Sequence, residues 1–393
     1  MNSDDVQNGE RLALRGARIF DGEAWHDDAA LVIHNGQVER IAQGKDVPDD
    51  AQSVELDGGI LVPGFVDLQV NGGGGVMLND RQDVEAFRTI CAAHAPFGTT
   101  SILVTLITDT PAVTALAVDG CAAALAEQVP GLLGLHLEGP HLSIARKGAH
   151  DPALIRPVSS EDEAFLIASR KKVHVLLSTL ARESVEPAQI KALAAAGVLV
   201  SIGHTDTTYE GAAEMAEAGA SIVTHLFNAM SQIGNRAPGV AGAALDIGQL
   251  HAGLIADGIH VDPATIGIAL RGKNGPGHIF LVTDAMATIG TDMSSFTLNG
   301  RTIFRKEGSL RLADGTLAGA DLDMISAVHF MHQRIGLPLE EALRMATVYP
   351  ARAACVDDRV GRLGAGTDAS FVHLSEHLDV RQVWIRGTEA FRA

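Results

Sequence analysis

Eight apolar, β-branched runs recur about every 30 residues through the middle of the chain, separated by Ala-rich stretches. They read LVPGFVDLQV, TTSILVTLIT, GLLGLHLEG, VHVLLSTL, GVLVSIGH, ASIVTHLF, HAGLIADG and HIFLVTDA. A strand with one wet face alternates apolar and polar residues. Continuous runs such as these belong to parallel strands buried on both faces and covered by helices. Eight units of this kind favour a closed (β/α)8 TIM-like barrel over an open doubly wound sheet, within the α/β class.

Both ends of the chain have another texture. LALRGARIF, AALVIHNGQVERIA and QSVELDG read as short strands with turn punctuation, and Asn35-Gly36 between alternating segments signals a hairpin. GRLGAGTDASFVHLS and VRQVWIRG near the other end look alike. The expectation is a small β-sandwich domain built from both termini, residues 1–62 and 355–393, around a barrel at 63–354. Residues 291–319 are expected to insert a β-hairpin after the eighth strand, with helices following near 321–335 and 338–348.

Charge and cysteine content exclude several function classes. Lys and Arg total 30 against 48 Asp and Glu, a formal charge of −18. Such a surface repels nucleic acid and anionic membranes, so an anionic small molecule would need a few local cations. Cys91, Cys121 and Cys355 are far apart and lack CxxC spacing, which points to a reducing compartment. MNSDDVQNGE has no basic and apolar signal-peptide pattern, and no apolar run reaches about 18 residues. A soluble cytoplasmic protein is expected.

The informative polar residues sit where the runs end: Glu138, His204, His225, His260 and Asp284. In a barrel these ends converge on one face, the face that carries chemistry. Singly, each has an ordinary explanation, such as a hydrogen-bonded histidine or a helix-capping aspartate. Those explanations do not predict five such residues at the same end of successive strands. Glu, His, His and Asp brought together suit a divalent metal of the zinc type.

Gly72–Gly75 invites a phosphate-cradle reading, but the tract lacks the GKS/GKT ending of a P-loop and GxGxxG spacing. A tight turn beside a pocket is expected instead.

PGFVDLQVNGGGG, HLEGPHL, KGAH, GHTDTTY, THLFNAM, NRAPG, DGIHVD, LVTDA, GTLAG and ATVYPAR occur in this order. Together they resemble the N-acetylglucosamine-6-phosphate deacetylase family of the amidohydrolase superfamily, over nearly the whole chain. The resemblance implies metal-dependent hydrolysis of an N-acetyl group on an amino-sugar phosphate. It implies Glu138, His204 and His225 as metal ligands and Asp284 as general base and acid. Ala149, His150, Asn228, Ala229, Arg236, Asp257, Gly258, Ile259, His260, Leu317, Ala318 and Gly319 match substrate-contacting positions, with phosphate recognition at Asn228, Arg236 and His260. It also implies a homodimer. Many amidohydrolases present HxH for a second metal where this chain has Gln69-Val70-Asn71. Neither amide is a good transition-metal ligand, so one divalent ion per subunit is expected, Zn2+ before Fe2+, Mn2+ or Co2+, with Gln69 reaching it only through water.

His141 and Asp323 depart from the family, which commonly has an aromatic and a small hydroxyl residue there; neither matches a ligand position. The nearest rival is N-acetylgalactosamine-6-phosphate deacetylation, which differs in the configuration of one hydroxyl. A cyclic-amide hydrolase would use HxH and a lysine ending the fourth strand, whereas Lys171 and Lys172 precede that strand. A non-catalytic sugar-phosphate sensor would be expected to have lost a ligand or the base, and the chain has kept both.

Overall fold

The computed structural model describes residues 11–393; the N-terminal decapeptide, read above as no signal peptide, lies outside them. The eight runs form eight strands: β1 (Phe65–Val70), β2 (Thr99–Ile107), β3 (Leu132–Glu138), β4 (Leu176–Leu180), β5 (Leu199–Ile202), β6 (Ile222–Val223), β7 (His251–Leu254) and β8 (Ile279–Leu281). They lie side by side in sequence order in one sheet, and every neighbouring pair from β2 to β8 is parallel. β1, β2 and β3 are buried along their whole length, which is why their sequences lack alternation.

The ring closes at a seam rather than along a ladder. One parallel bridge joins Val70 to Ala285, just beyond β8. Beside it, Asp284 N–H donates to Gln69 O at 3.0 Å and Asn71 N–H to Ala285 O at 2.8 Å. The helices between strands carry ordinary start signals. Thr110 caps Pro111–Ala126 by accepting from Val113 N–H, and Ser159 with Asp162 forms a capping box on Ser160–Lys172.

The expected hairpin after the eighth strand is a four-stranded antiparallel meander: β9 (Ser295–Leu298), β10 (Arg301–Lys306), β11 (Ser309–Arg311) and β12 (Leu317–Ala320). Asn299-Gly300 and Glu307-Gly308 make its first two turns with positive φ at both residues. Only the first has a strong turn dipeptide, and LAGA carries no strand pattern, so half of this sheet was hidden. Phe296, Leu298, Ile303 and Leu310 seat it on Met77, Ile107 and Met286.

The described chain divides into two compact units, one comprising Asp67–Ala93 and Ile102–Asp323, the other running to Val66 with His94–Ser101 and Met324–Ala393. In the second unit, Ile60–Pro63 pairs antiparallel with Phe371–Leu374 in a six-stranded sheet drawn from both termini. A four-stranded sheet holds the Asn35-Gly36 hairpin, with His34 opposite Gln37. Phe371 stacks on Trp384, centroids 4.8 Å apart, within a core that includes Leu14, Leu31 and Leu61. The helices Leu339–Ala346 and Val348–Ala353, counted above with the barrel, group here. Arg344 explains part of this, donating to the carbonyls of Gly22 and Glu23.

Candidate metal centre and active site

Glu138 is the last residue of β3, His204 and His225 lie just past β5 and β6, and Asp284 just past β8. His260, expected at a strand end, stands on the loop well beyond β7, which stops at Leu254. His204, His225 and Asp284 have left-handed φ of 47°, 29° and 52°. For residues with a Cβ this costs about 1–3 kcal/mol each and persists only where surrounding bonds impose it.

Glu138 Oε1 lies 3.2 Å from His204 Nε2 and 3.1 Å from His225 Nε2, and the two nitrogens are 3.0 Å apart. His204 Nδ1–H donates to Arg146 O at 2.9 Å, so its Nε2 carries the lone pair. Three buried donors thus face one point, all within 4.8 Å of one another. Lone pairs and a carboxylate crowded this way are relieved by a cation, and the set suits one metal ion.

Asp284 sits across from these donors, against the seam. Its Oδ1 accepts from Asn71 Nδ2 at 2.7 Å and from Gln69 Nε2 at 3.1 Å. Gln69 Nε2 also reaches Glu138 Oε1 at 3.0 Å, so this residue, expected to meet a metal only through water, directly contacts both carboxylates. Burial, with the Glu138 charge second, pushes the Asp284 carboxyl up to about 6. Two residues behind Gln69, the fully buried Asp67 accepts from the Thr283 hydroxyl and amide and from Gln69 N–H. Burial pushes it up to about 7 despite those bonds.

His150 forms another wall. Thr108 N–H donates to its Nδ1 at 3.3 Å, which requires a lone pair there and places the ring proton on Nε2. That nitrogen lies 3.7 Å from Glu138 Oε2. Burial lowers the His150 pKa to about 3, so the ring is neutral. His260 is oriented by Asp257, whose carboxylate accepts its Nδ1–H at 2.6 Å and its backbone N–H at 2.8 Å.

These groups surround a cavity of about 540 Å³, a size suited to a small metabolite. Of the residues singled out from sequence, Glu138, Ala149, His150, His204, His225, Asn228, Ala229, His260, Asp284, Leu317, Ala318 and Gly319 line it. Gln69, Arg236, Asp257, Gly258 and Ile259 stand outside the lining, and Arg236 is exposed on the 231–238 loop. Sequence reasoning missed Arg311 on β11 and Asn71 as lining residues, and Thr108 as the partner of His150. A hydroxyl closing the second apolar run was the available signal for Thr108.

The glycine tract forms a small hairpin, Gly72–Gly73 against Val76–Met77. The amides of Gly72, Gly74 and Gly75 donate to the carbonyls of Ala285, Ile289 and Ala287. They are not free to cradle a phosphate.

Comparison with known proteins agrees with this geometry. Residues 60–390 match the amidohydrolase family, and residues 12–61 match the NagA composite domain. An N-acetylgalactosamine-6-phosphate deacetylase of Shewanella sp. (strain ANA-3) is 42% identical, over 88% of this chain and 86% of that one. The N-acetylglucosamine-6-phosphate deacetylase of Haemophilus influenzae is 35% identical, over 92% and 94%. The crystal structure of N-acetylglucosamine-6-phosphate deacetylase from Pasteurella multocida superposes with a TM-score of 0.92 at 36% identity, covering 96% of this chain and 99% of that one. The fold, the donor set and these relatives lead to one statement: the chain belongs to the amidohydrolase family, in the group that holds the N-acetylglucosamine-6-phosphate and N-acetylgalactosamine-6-phosphate deacetylases.

Proposed function

We propose that this protein hydrolyses the N-acetyl group of N-acetyl-D-glucosamine 6-phosphate, giving D-glucosamine 6-phosphate and acetate. The observation that carries the reading is a three-donor metal site facing a buried carboxylate that has one oxygen pinned and one free. Glu138, His204 and His225 would hold one divalent ion, Zn2+ first, with Fe2+, Mn2+ or Co2+ also suited to these donors. When bound, such an ion supplies a Lewis acid for the amide carbonyl and lowers the pKa of water from about 15.7 to roughly 7.

The chain's own groups do the rest. With Asp284 Oδ1 held by two amides, Oδ2 is the oxygen that takes a proton from the attacking water and later hands it to the leaving nitrogen. His150 offers its Nε2–H to the carbonyl oxygen as negative charge develops there. Asn228 and His260, which line the cavity, recognise the phosphate, Asp257 fixing the His260 ring; Arg236, on the exposed 231–238 loop outside that lining, enters this reading on the resemblance alone. Ala149, Ala229 and Leu317–Gly319 border the sugar, and Gly258 and Ile259, outside the lining, enter this reading on the resemblance alone. A homodimer is part of this reading and rests on the resemblance. A cytoplasmic location is supported by three free cysteines, two of them buried, and among the described residues no helix is long and apolar enough to cross a membrane.

Deacetylation of the galacto epimer is the second reading, favoured by the 42% identical relative. Acetate release from both sugar phosphates, measured side by side with metal content, tests the choice. The expected result is about one ion per chain and a higher kcat/KM for the gluco epimer. A clear galacto preference would transfer the assignment to the second reading. About two ions per chain at full activity would overturn the one-metal site. Failure to hydrolyse either epimer would leave the sensor reading.

A further inference from the structure

Two residues lining the cavity carry a buried polar atom with no hydrogen-bond partner among the described residues: His225 Nδ1 and Asn71 Oδ1. His225 turns its other nitrogen to Glu138 and His204, and its role follows from that edge. Asn71 is different. It is 1% exposed, and its backbone is fixed on both sides, N–H to Ala285 O and C=O from Leu78 N–H. Its Nδ2 donates to Asp284 Oδ1 at 2.7 Å, which fixes the amide's orientation and leaves Oδ1 as a lone acceptor. Buried acceptors in folded proteins are almost always paired, so an unpaired one on a residue that lines the cavity calls for a donor.

Amide hydrolysis brings one suitable donor to this place. The scissile nitrogen must come within reach of Asp284 to receive its proton, and that nitrogen already bears one hydrogen. We infer that Asn71 is a catalytic residue that accepts the N–H of the scissile amide on Oδ1 while Nδ2 holds Asp284. With its hydrogen on Asn71, the nitrogen can turn its developing lone pair toward Asp284 Oδ2. The step balances. Water oxygen bonds to the acyl carbon, and one water proton moves to Asp284. The C–N bond then breaks with its electron pair going to nitrogen, and the Asp284 proton joins that nitrogen. The amine leaves with two hydrogens, and Asp284 is again a carboxylate. The inference deepens the deacetylase reading and rests on it.

The test compares the amide substrate with its ester counterpart, the sugar phosphate carrying an O-acetyl group at C2 and so lacking the N–H. Holding Asp284 matters for both substrates, whereas accepting an N–H matters only for the amide. Asn71→Ala is expected to lower kcat/KM about 100-fold on the amide and about 10-fold or less on the ester. Gln69→Ala, which removes a hold on Asp284 and on Glu138 but no acceptor for the N–H, should lower both by the same factor. Asn71→Ser provides a second reading of the ratio should the alanine variant fold poorly, with metal content measured for each protein. Equal losses on amide and ester, or no loss on either, would overturn the inference while leaving the functional reading intact. A metal-loaded wild type that releases no acetate from either epimer would overturn the reading and this inference together.

Discussion

The two sides of the cavity are built differently. Glu138, His204 and His225 come from β3, β5 and β6, inside the unbroken run of parallel pairing. Asp284, with Gln69 and Asn71, comes from the seam, where β1 and β8 meet through one bridge and a few hydrogen bonds. The first side gathers lone pairs around a point and suits a cation. The second surrounds one carboxylate with amides, which can neither bind a transition metal well nor exchange protons near neutral pH. In the proposed function, cation binding and proton transfer thereby fall to different strands, and each can be removed separately.

The largest effect should follow from opening the cation side. His225→Ala is predicted to lower bound metal to well under one ion per chain and to cost at least about 10³-fold in turnover. Elemental analysis of the dialysed variant, paired with an acetate assay, checks both. Retention of full metal would mean that Glu138 and His204 suffice without it.

Breaking the seam side should give the complementary result. Asp284→Asn keeps the shape of the side chain but not its basicity, so kcat is predicted to fall about 10³-fold with metal content unchanged. Activity within about tenfold of wild type would remove Asp284 from the proton path.

The third prediction sharpens the comparison without touching either set of working groups. Asp67, behind the seam, has an ordinary carboxyl value of 3.8 and a native value near 7. Between these values the native chain keeps a proton that the unfolded chain has released. The associated stability is therefore fully present below about pH 4 and is lost as pH rises through about 7, by about 4 kcal/mol in all. Urea unfolding near pH 5 and near pH 8 should show a smaller decrease for Asp67→Asn than for wild type. Equal decreases would mean that Asp67 is ionised throughout.

Legibility from sequence follows the same division. The barrel strands were readable because burial on both faces erases alternation, as in TTSILVTLIT. The cation side was readable because each of its residues directly ends or follows such a run. The seam was not. Gln69 and Asn71 stood out only as amides where ligands are common, and Asp284 lies more than 200 positions away. Their meeting depends on closure of the ring, which no local pattern encodes. His260 was placed at a strand end because LIADGI reads as one apolar run, yet β7 stops at Leu254 and the chain turns around the Asp257 carboxylate. The left-handed backbones of His204, His225 and Asp284 were equally hidden, since tertiary bonds rather than residue type impose them.

The seam has one more consequence. The bonds that close the ring, Asn71 N–H to Ala285 O and Asp284 N–H to Gln69 O, are also the bonds that align Asp284, the proposed base, with its two amides. A fluctuation that parts β1 from β8 would therefore unlatch the barrel and disarm the enzyme in the same movement. Amide hydrogen exchange at Asn71 and Asp284 should then report the fraction of molecules assembled for turnover, and thermal inactivation should set in before the helices melt.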